Sequence, residues 1–129
     1  MKEKIAWVVP GGGSRSVYTA GFIYAANEYK LTPPNIIVTA SGGAGASCYY
    51  LSGQASDIKY IWLQAITLKK FANDYRFWKI ADIDFLVDYV FKKIKPLNIQ
   101  KIISSEIIMH IAVNDYKTGE IKFFTNKDN

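Results

Sequence analysis

Two short runs of small residues carry most of the chemistry open to this chain: Gly11-Gly12-Gly13-Ser14-Arg15-Ser16 and Ser41-Gly42-Gly43-Ala44-Gly45-Ala46. Glycine lets the backbone adopt positive φ and brings its N–H groups close to a ligand. A helix starting behind such a loop adds partial positive charge. The first run can therefore cradle a phosphate or an oxyanion. The dinucleotide fingerprint G-x-G-x-x-G fails at its third glycine, where this chain has Ser16, and the second strand ends in Thr39-Ala40-Ser41, with no acid for a ribose. A dinucleotide-binding domain is thus a remote alternative. The oxyanion reading, with donors on Gly11, Gly12, Gly13 and Ser14, is favoured over it and over plain turn glycines.

The second run has the character of a nucleophile elbow. Such an elbow holds its serine on a sharp strand-to-helix turn, with small residues two before and two after because they crowd at the bend. Centring the bend on Gly43 places Ser41 and Gly45 at the crowded positions, both small, with Gly42 and Ala44 as the inner supports. The hydroxyl is then missing, since glycine stands where the serine should be. The rival register centres the bend on Ser41 and makes it the nucleophile, at the expense of β-branched Thr39 in a crowded position. Gly43 is the preferred centre; Ser47 falls inside the following helix.

Other reactive side chains are few. The single cysteine, Cys48, excludes an intrachain disulfide and reads as a small buried hydrophobe. The single histidine, His110, lies in the strand-like run Ile107–Val113 and reads as structural; one His and one Cys do not make a zinc site. No cofactor or metal is implied. The chain of 129 residues is 50% hydrophobic and 21% charged with a formal charge of +5, an ordinary globular composition for one domain. Its lysines are scattered or paired, without the interleaved basic and aromatic pattern of a nucleic-acid surface. An anionic membrane surface remains a partner that suits the charge.

The elements that must position these runs alternate. Ile5–Val9 is a short apolar strand ahead of the first glycine run. A helix follows from Ser16 or Val17 to Tyr29. Asn35–Ala40 is a second strand and a helix then runs from about Ala44 to Leu51. Strand, loop, helix, strand, turn, helix implies a parallel sheet with helical crossovers. Asp57 to about Phe71 reads as an amphipathic helix, Ile83–Lys93 as another and Ile99–Ile103 as a short third. Ile107–Val113 and Glu120–Thr125 form a hairpin through Asp115-Tyr116-Lys117-Thr118-Gly119. No apolar stretch approaches the length of a membrane span and no signal peptide is visible, so a cytoplasmic location is expected.

These residues together resemble the patatin-like phospholipases, lipid acyl hydrolases that use a Ser–Asp dyad. Pro10–Ser16 is similar to their D-G-G-G-x-R-G oxyanion loop, Val17-Tyr18-Thr19-Ala20-Gly21 to the helix start behind it, and Ser41–Ala46 to their elbow, G-x-S-A-G-A. Asp82–Asp88, Lys95-Pro96-Leu97 and Ala112–Gly119 are similar to later segments of bacterial members. The resemblance implies an α/β fold, a three-layer sheet of parallel type flanked by helices, over 1–129 as the N-terminal portion of the domain. It implies a lipid or acyl ester substrate; Arg15 has two readings, as a support of the loop or contact for a lipid head-group phosphate, or as a plain solvated charge. In the register preferred above, Gly43 replaces the family's serine, and Ser16 replaces the last glycine of the oxyanion motif. The family's catalytic aspartate sits in a D-G-[GA] motif, and no aspartate of this chain precedes a glycine. A truncated, inactive hydrolase domain is therefore expected, with self-association through an exposed sheet edge. A non-catalytic lipid- or acyl-binding module, using Trp62, Phe71, Phe77 and Trp78, is the alternative.

Overall fold

The computed structural model describes residues 3–65 and 82–128. Four strands form one sheet in the order β1-β2-β3-β4. These are β1 (Ala6–Val9), β2 (Ile36–Ala40), β3 (Ile108–Asn114) and β4 (Ile121–Thr125). The first three are parallel and β4 returns antiparallel to β3. Register is set at the foot of β1 and β2, where the Asn35 side chain accepts from the Ile5 amide at 2.9 Å while the Asn35 amide donates to Ile5 O at 2.7 Å. The β3–β4 hairpin is closed as its composition implies: Asp115 accepts from the amides of Lys117 and Thr118, and Gly119 takes a φ of 74°.

Helix α1 (Ser16–Glu28) carries the chain from β1 to β2, and α2 (Gly42–Leu51) leaves the top of β2. Both pack on the face presented by odd-numbered strand residues. Trp7 of β1 meets Phe22 of α1 and Tyr50 of α2, at ring separations of 5.2 and 5.1 Å. Val9, Ile37 and Met109 are buried with Ala20, Ile23, Ala46 and Tyr49 in the core. Sequential strands that advance in one direction through right-handed crossovers must place their helices on one side. The even-numbered face is open among the described residues: Val8 is 79% exposed. The second helical layer of the expected three-layer arrangement is not among the described residues.

Beyond α2 the chain forms α3 (Asp57–Tyr60), which continues as a π-helical turn, Ile61–Ala65. The remainder of the amphipathic helix expected to reach Phe71 lies outside the described residues, as do Phe77 and Trp78. Phe85–Ile94 is helical as expected but wound as a π-helix, and α4 (Ile99–Ser104) follows. Gln54 clamps the intervening strap, donating to Pro96 O and accepting from the Asn98 amide. Asn126, after β4, ties α4 to β3: Nδ2 donates to Ile102 O at 2.8 Å and to Ile107 O at 3.1 Å, and Oδ1 accepts from the Met109 amide at 2.9 Å. No helix among the described residues is long and apolar enough to cross a membrane.

Candidate active site

The bend between β2 and α2 falls on Ser41. Its φ is 50° and its ψ −131°, a combination that side chains other than glycine rarely adopt, and the residue is exposed. Holding a non-glycine residue there costs on the order of 1–3 kcal/mol, which the packed strand and helix on either side must over-determine. Ala44 N donates to Ser41 O at 2.9 Å and so begins α2 around the bend. The Ser41 hydroxyl therefore stands at the tip of a strained strand-to-helix turn.

Gly43 does not occupy the tip, and the register that centred the bend on it is corrected by the geometry. Gly43 is buried in the first turn of α2. A Cβ there would lie 2.6 Å from Val9 O, 2.7 Å from Pro10 O and 2.9 Å from Thr39 Oγ1. Residue 43 is glycine because the end of β1 passes directly beneath it, and a serine has no room. Thr39, disfavoured in sequence terms for its branching, fits because its hydroxyl is absorbed: Oγ1 donates to Val9 O at 2.9 Å, fully buried. Ser47 is likewise taken, donating to Gly43 O at 2.9 Å one turn back along α2.

The two glycine-rich runs meet. A Cβ on Gly11 would lie 2.7 Å from Ser41 Cβ and 2.9 Å from Ala40 O, so only glycine lets the loop pass this close to the bend. Gly12 and Gly13 take φ values of 145° and 56°, and a single 3-10 turn, Gly13–Arg15, leads into α1. Among the described residues nothing accepts a hydrogen bond from the amides of Gly11, Gly12, Gly13 or Gly42. Ser14 and Arg15 are exposed at the rim, and Arg15 Nε lies 3.9 Å from where a Gly12 Cβ would be, beside the loop. Ala44 and Gly45 are half-buried in α2; Gly45 faces the rings of Phe91 and Trp62, each 3.3 Å from its Cβ position.

One contact escaped sequence reasoning. Ser16, the first residue of α1, is buried, and its Oγ accepts from Trp62 Nε1 at 3.0 Å across 46 positions of sequence. No local pattern signals a pairing at that separation.

The remaining candidates lie elsewhere. Cys48 sits half-buried in α2, and burial pushes its thiol from an ordinary 9.0 up to about 11, so it is a neutral thiol near pH 7. His110 is half-buried in β3, opposite Val38 and Thr125. Asp57 pairs with Lys95 at 2.8 Å, Asp88 with Lys92 and Asp115 with Lys122 at 2.6 Å, and Asp128 accepts from Thr125. Asp74 lies outside the described residues. No described side chain hydrogen-bonds the Ser41 hydroxyl.

A serine held at positive φ on a strand-to-helix turn, with free backbone amides beside it, is the arrangement that α/β hydrolases build around a nucleophile. The sequence model of the patatin-like phospholipase family matches residues 8–129, and the chain belongs to that family. Members of the family act on lipid acyl esters. No curated protein matches the chain.

Proposed function

We propose that this chain supplies the nucleophile and oxyanion halves of a lipid acyl-hydrolase site, with Ser41 as the nucleophile and the amides of Gly11, Gly12, Gly13 and Gly42 as the oxyanion donors. The observation that carries this is the Ser41 backbone, φ 50° and ψ −131°, directly against Gly11. Strain of that kind is kept where it aims a group outward. Donors already oriented toward a developing oxyanion contribute roughly 3–4 kcal/mol each in a comparable hydrolase. Gly43 then acts as the small residue that lets α2 cross β1, not as a vacated nucleophile position.

Among the described residues no base accompanies Ser41. No aspartate of this chain precedes a glycine, and no described carboxylate reaches Ser41. Ester turnover by this chain alone therefore stays at background, for want of a proton acceptor rather than of a nucleophile. Arg15, exposed and without an ion pair among the described residues, is placed to meet an anionic head group at the rim. The net charge of +5 suits an acidic lipid surface. A groove of about 190 Å³ between α1 and α3, with Val17, Tyr24, Ile58 and Trp62 in its walls and Lys59 beside it, supports the acyl-binding module as a second reading.

The test is covalent labelling with a fluorophosphonate at pH 9, where hydroxide can take the serine proton. Ser41 Oγ attacks phosphorus, fluoride leaves, and the proton passes to hydroxide. Labelling of the wild-type chain that disappears in Ser41→Ala supports the proposal; equal labelling of the two proteins, or none, defeats it.

A further inference from the structure

We infer that Ser16 is a positioning residue for the Ser41 site: pinned by the Trp62 indole, it sets the gap between the glycine loop and the first amide of α2, and its bulk is coupled to the bare backbone of Gly42. The inference rests on the proposal that Ser41 is the nucleophile.

The space between the first turns of α1 and α2 admits one substituent. A Cβ on Gly42 would lie 2.6 Å from Ser16 Oγ and 2.8 Å from Ser16 Cβ. Ser16 fills that space, and Gly42, the residue directly after Ser41, leaves it empty. Gly13 O is 3.8 Å from the same point, so the wedge made by Ser16 stands between the glycine loop and the start of α2. Donor positions on both sides depend on it.

Trp62 keeps the wedge in place. Its N–H is a buried donor whose partner is Ser16 Oγ at 3.0 Å, and its ring closes on Gly45 of α2. A single side chain thus ties the start of α1 to the flank of α2, with the nucleophile bend between them. Removing the Ser16 hydroxyl strands the indole N–H, and a buried donor left unpaired reorients or recruits a new partner. Ser16 is 2% exposed, so substrate does not reach it. Its influence is on placement of the amides, where a displacement well under 1 Å is felt in rate.

The experiment measures fluorophosphonate labelling at pH 9, resolved into kinact and KI, together with Tm, for wild type, Ser16→Ala, Trp62→Phe, Gly42→Ala and the double variant Ser16→Gly/Gly42→Ala. Expected for Ser16→Ala and Trp62→Phe is a roughly tenfold fall in kinact with KI unchanged, since reactivity and not probe affinity depends on amide placement. Expected for Gly42→Ala is a loss of about 5 °C in Tm with little labelling, from the clash with Ser16. Expected for the double variant is recovery of Tm toward that of wild type, because the new methyl at residue 42 takes the space that the Ser16 hydroxymethyl vacates, while kinact stays as low as in Ser16→Ala, since both lack the hydroxyl that the Trp62 N–H needs. If wild type labels at Ser41 but Ser16→Ala and Trp62→Phe label at its rate, the positioning role is overturned while the nucleophile assignment stands. If Gly42→Ala melts with wild type, or the double variant recovers nothing, the coupling is overturned through Tm alone. If wild type does not label at Ser41, the nucleophile proposal falls and the positioning role falls with it.

Discussion

Adding a methyl group at residue 43 separates the two registers of the elbow. In Gly43→Ala the new Cβ lies 2.6, 2.7 and 2.9 Å from three oxygens, against 3.4–4 Å for ordinary contact. Two of the three are backbone carbonyls, Val9 O and Pro10 O, and they lead straight into the glycine loop. They cannot retreat without displacing Gly11 from Ser41. Overpacking of this severity belongs at the upper end of its usual range, about 3 kcal/mol. Better helix propensity returns up to about 1 kcal/mol. A net loss of about 2 kcal/mol corresponds to a Tm lower by roughly 5–10 °C for a chain of this size. Gly43→Ser carries the same clash and an extra buried hydroxyl, and should be no more stable. Circular dichroism melts of both variants, with fluorophosphonate labelling alongside, read the outcome. A Gly43→Ser protein that melts with wild type and gains labelling at residue 43 would refute the geometry described here and restore Gly43 as a lost nucleophile.

Other perturbations follow from the same contacts. Ser41→Gly relieves the positive-φ strain, about 1–3 kcal/mol, against roughly 0.5–1 kcal/mol of extra entropy in the unfolded chain; Tm should hold or rise by a few degrees, and a clear drop would speak against a strained bend. Cys48 and Tyr49 are both raised by burial, Cys48 to about 11. The folded chain thus holds protons that the unfolded chain releases, so stability present below pH 9 is lost progressively toward pH 11; urea midpoints that are flat across this window would contradict it. Asn126→Ala removes the side-chain partner of Ile107 O and of the Met109 amide and takes one of two partners from Ile102 O, which keeps the Ser105 amide, and should cost about 2–3 kcal/mol, visible as a lower urea midpoint. The even-numbered face is open among the described residues around Val8 and Ile108, with Phe123 beside it on β4, and self-association through it is the expected outcome; a monomer by light scattering at micromolar concentration would contradict it.

Much of the fold was legible because its signals are local. The apolar runs at Ala6–Val9 and Ile36–Ala40, the glycine-rich turns after them and the Asp115–Gly119 hairpin are all specified within a few residues, and their strand and helix bounds fall within a residue or two of expectation. The meeting of the two glycine runs was legible too, since both sit at the same ends of adjacent parallel strands. The residue at the tip was not. Two overlapping patterns, Thr39-x-Ser41-x-Gly43 and Ser41-x-Gly43-x-Gly45, both place a small residue after the bend, and counting small neighbours favoured the second. What decides between them is the passage of Val9 O and Pro10 O under Gly43 and the disposal of the Thr39 hydroxyl onto Val9 O, contacts made across 30 or more positions of chain. The Ser16–Trp62 bond and the π-helical winding of Phe85–Ile94 were hidden for the same reason: tertiary packing selects them, and no spacing of residue types within the segment does.

The most direct measurement is tandem mass spectrometry of the fluorophosphonate-treated chain, which locates the adduct at residue level. A single adduct on Ser41, absent from Ser41→Ala, is the expected result. An adduct on Ser14, Ser16 or Ser47 with Ser41 unmodified, or a chain left unmodified after prolonged exposure at pH 9, would contradict it.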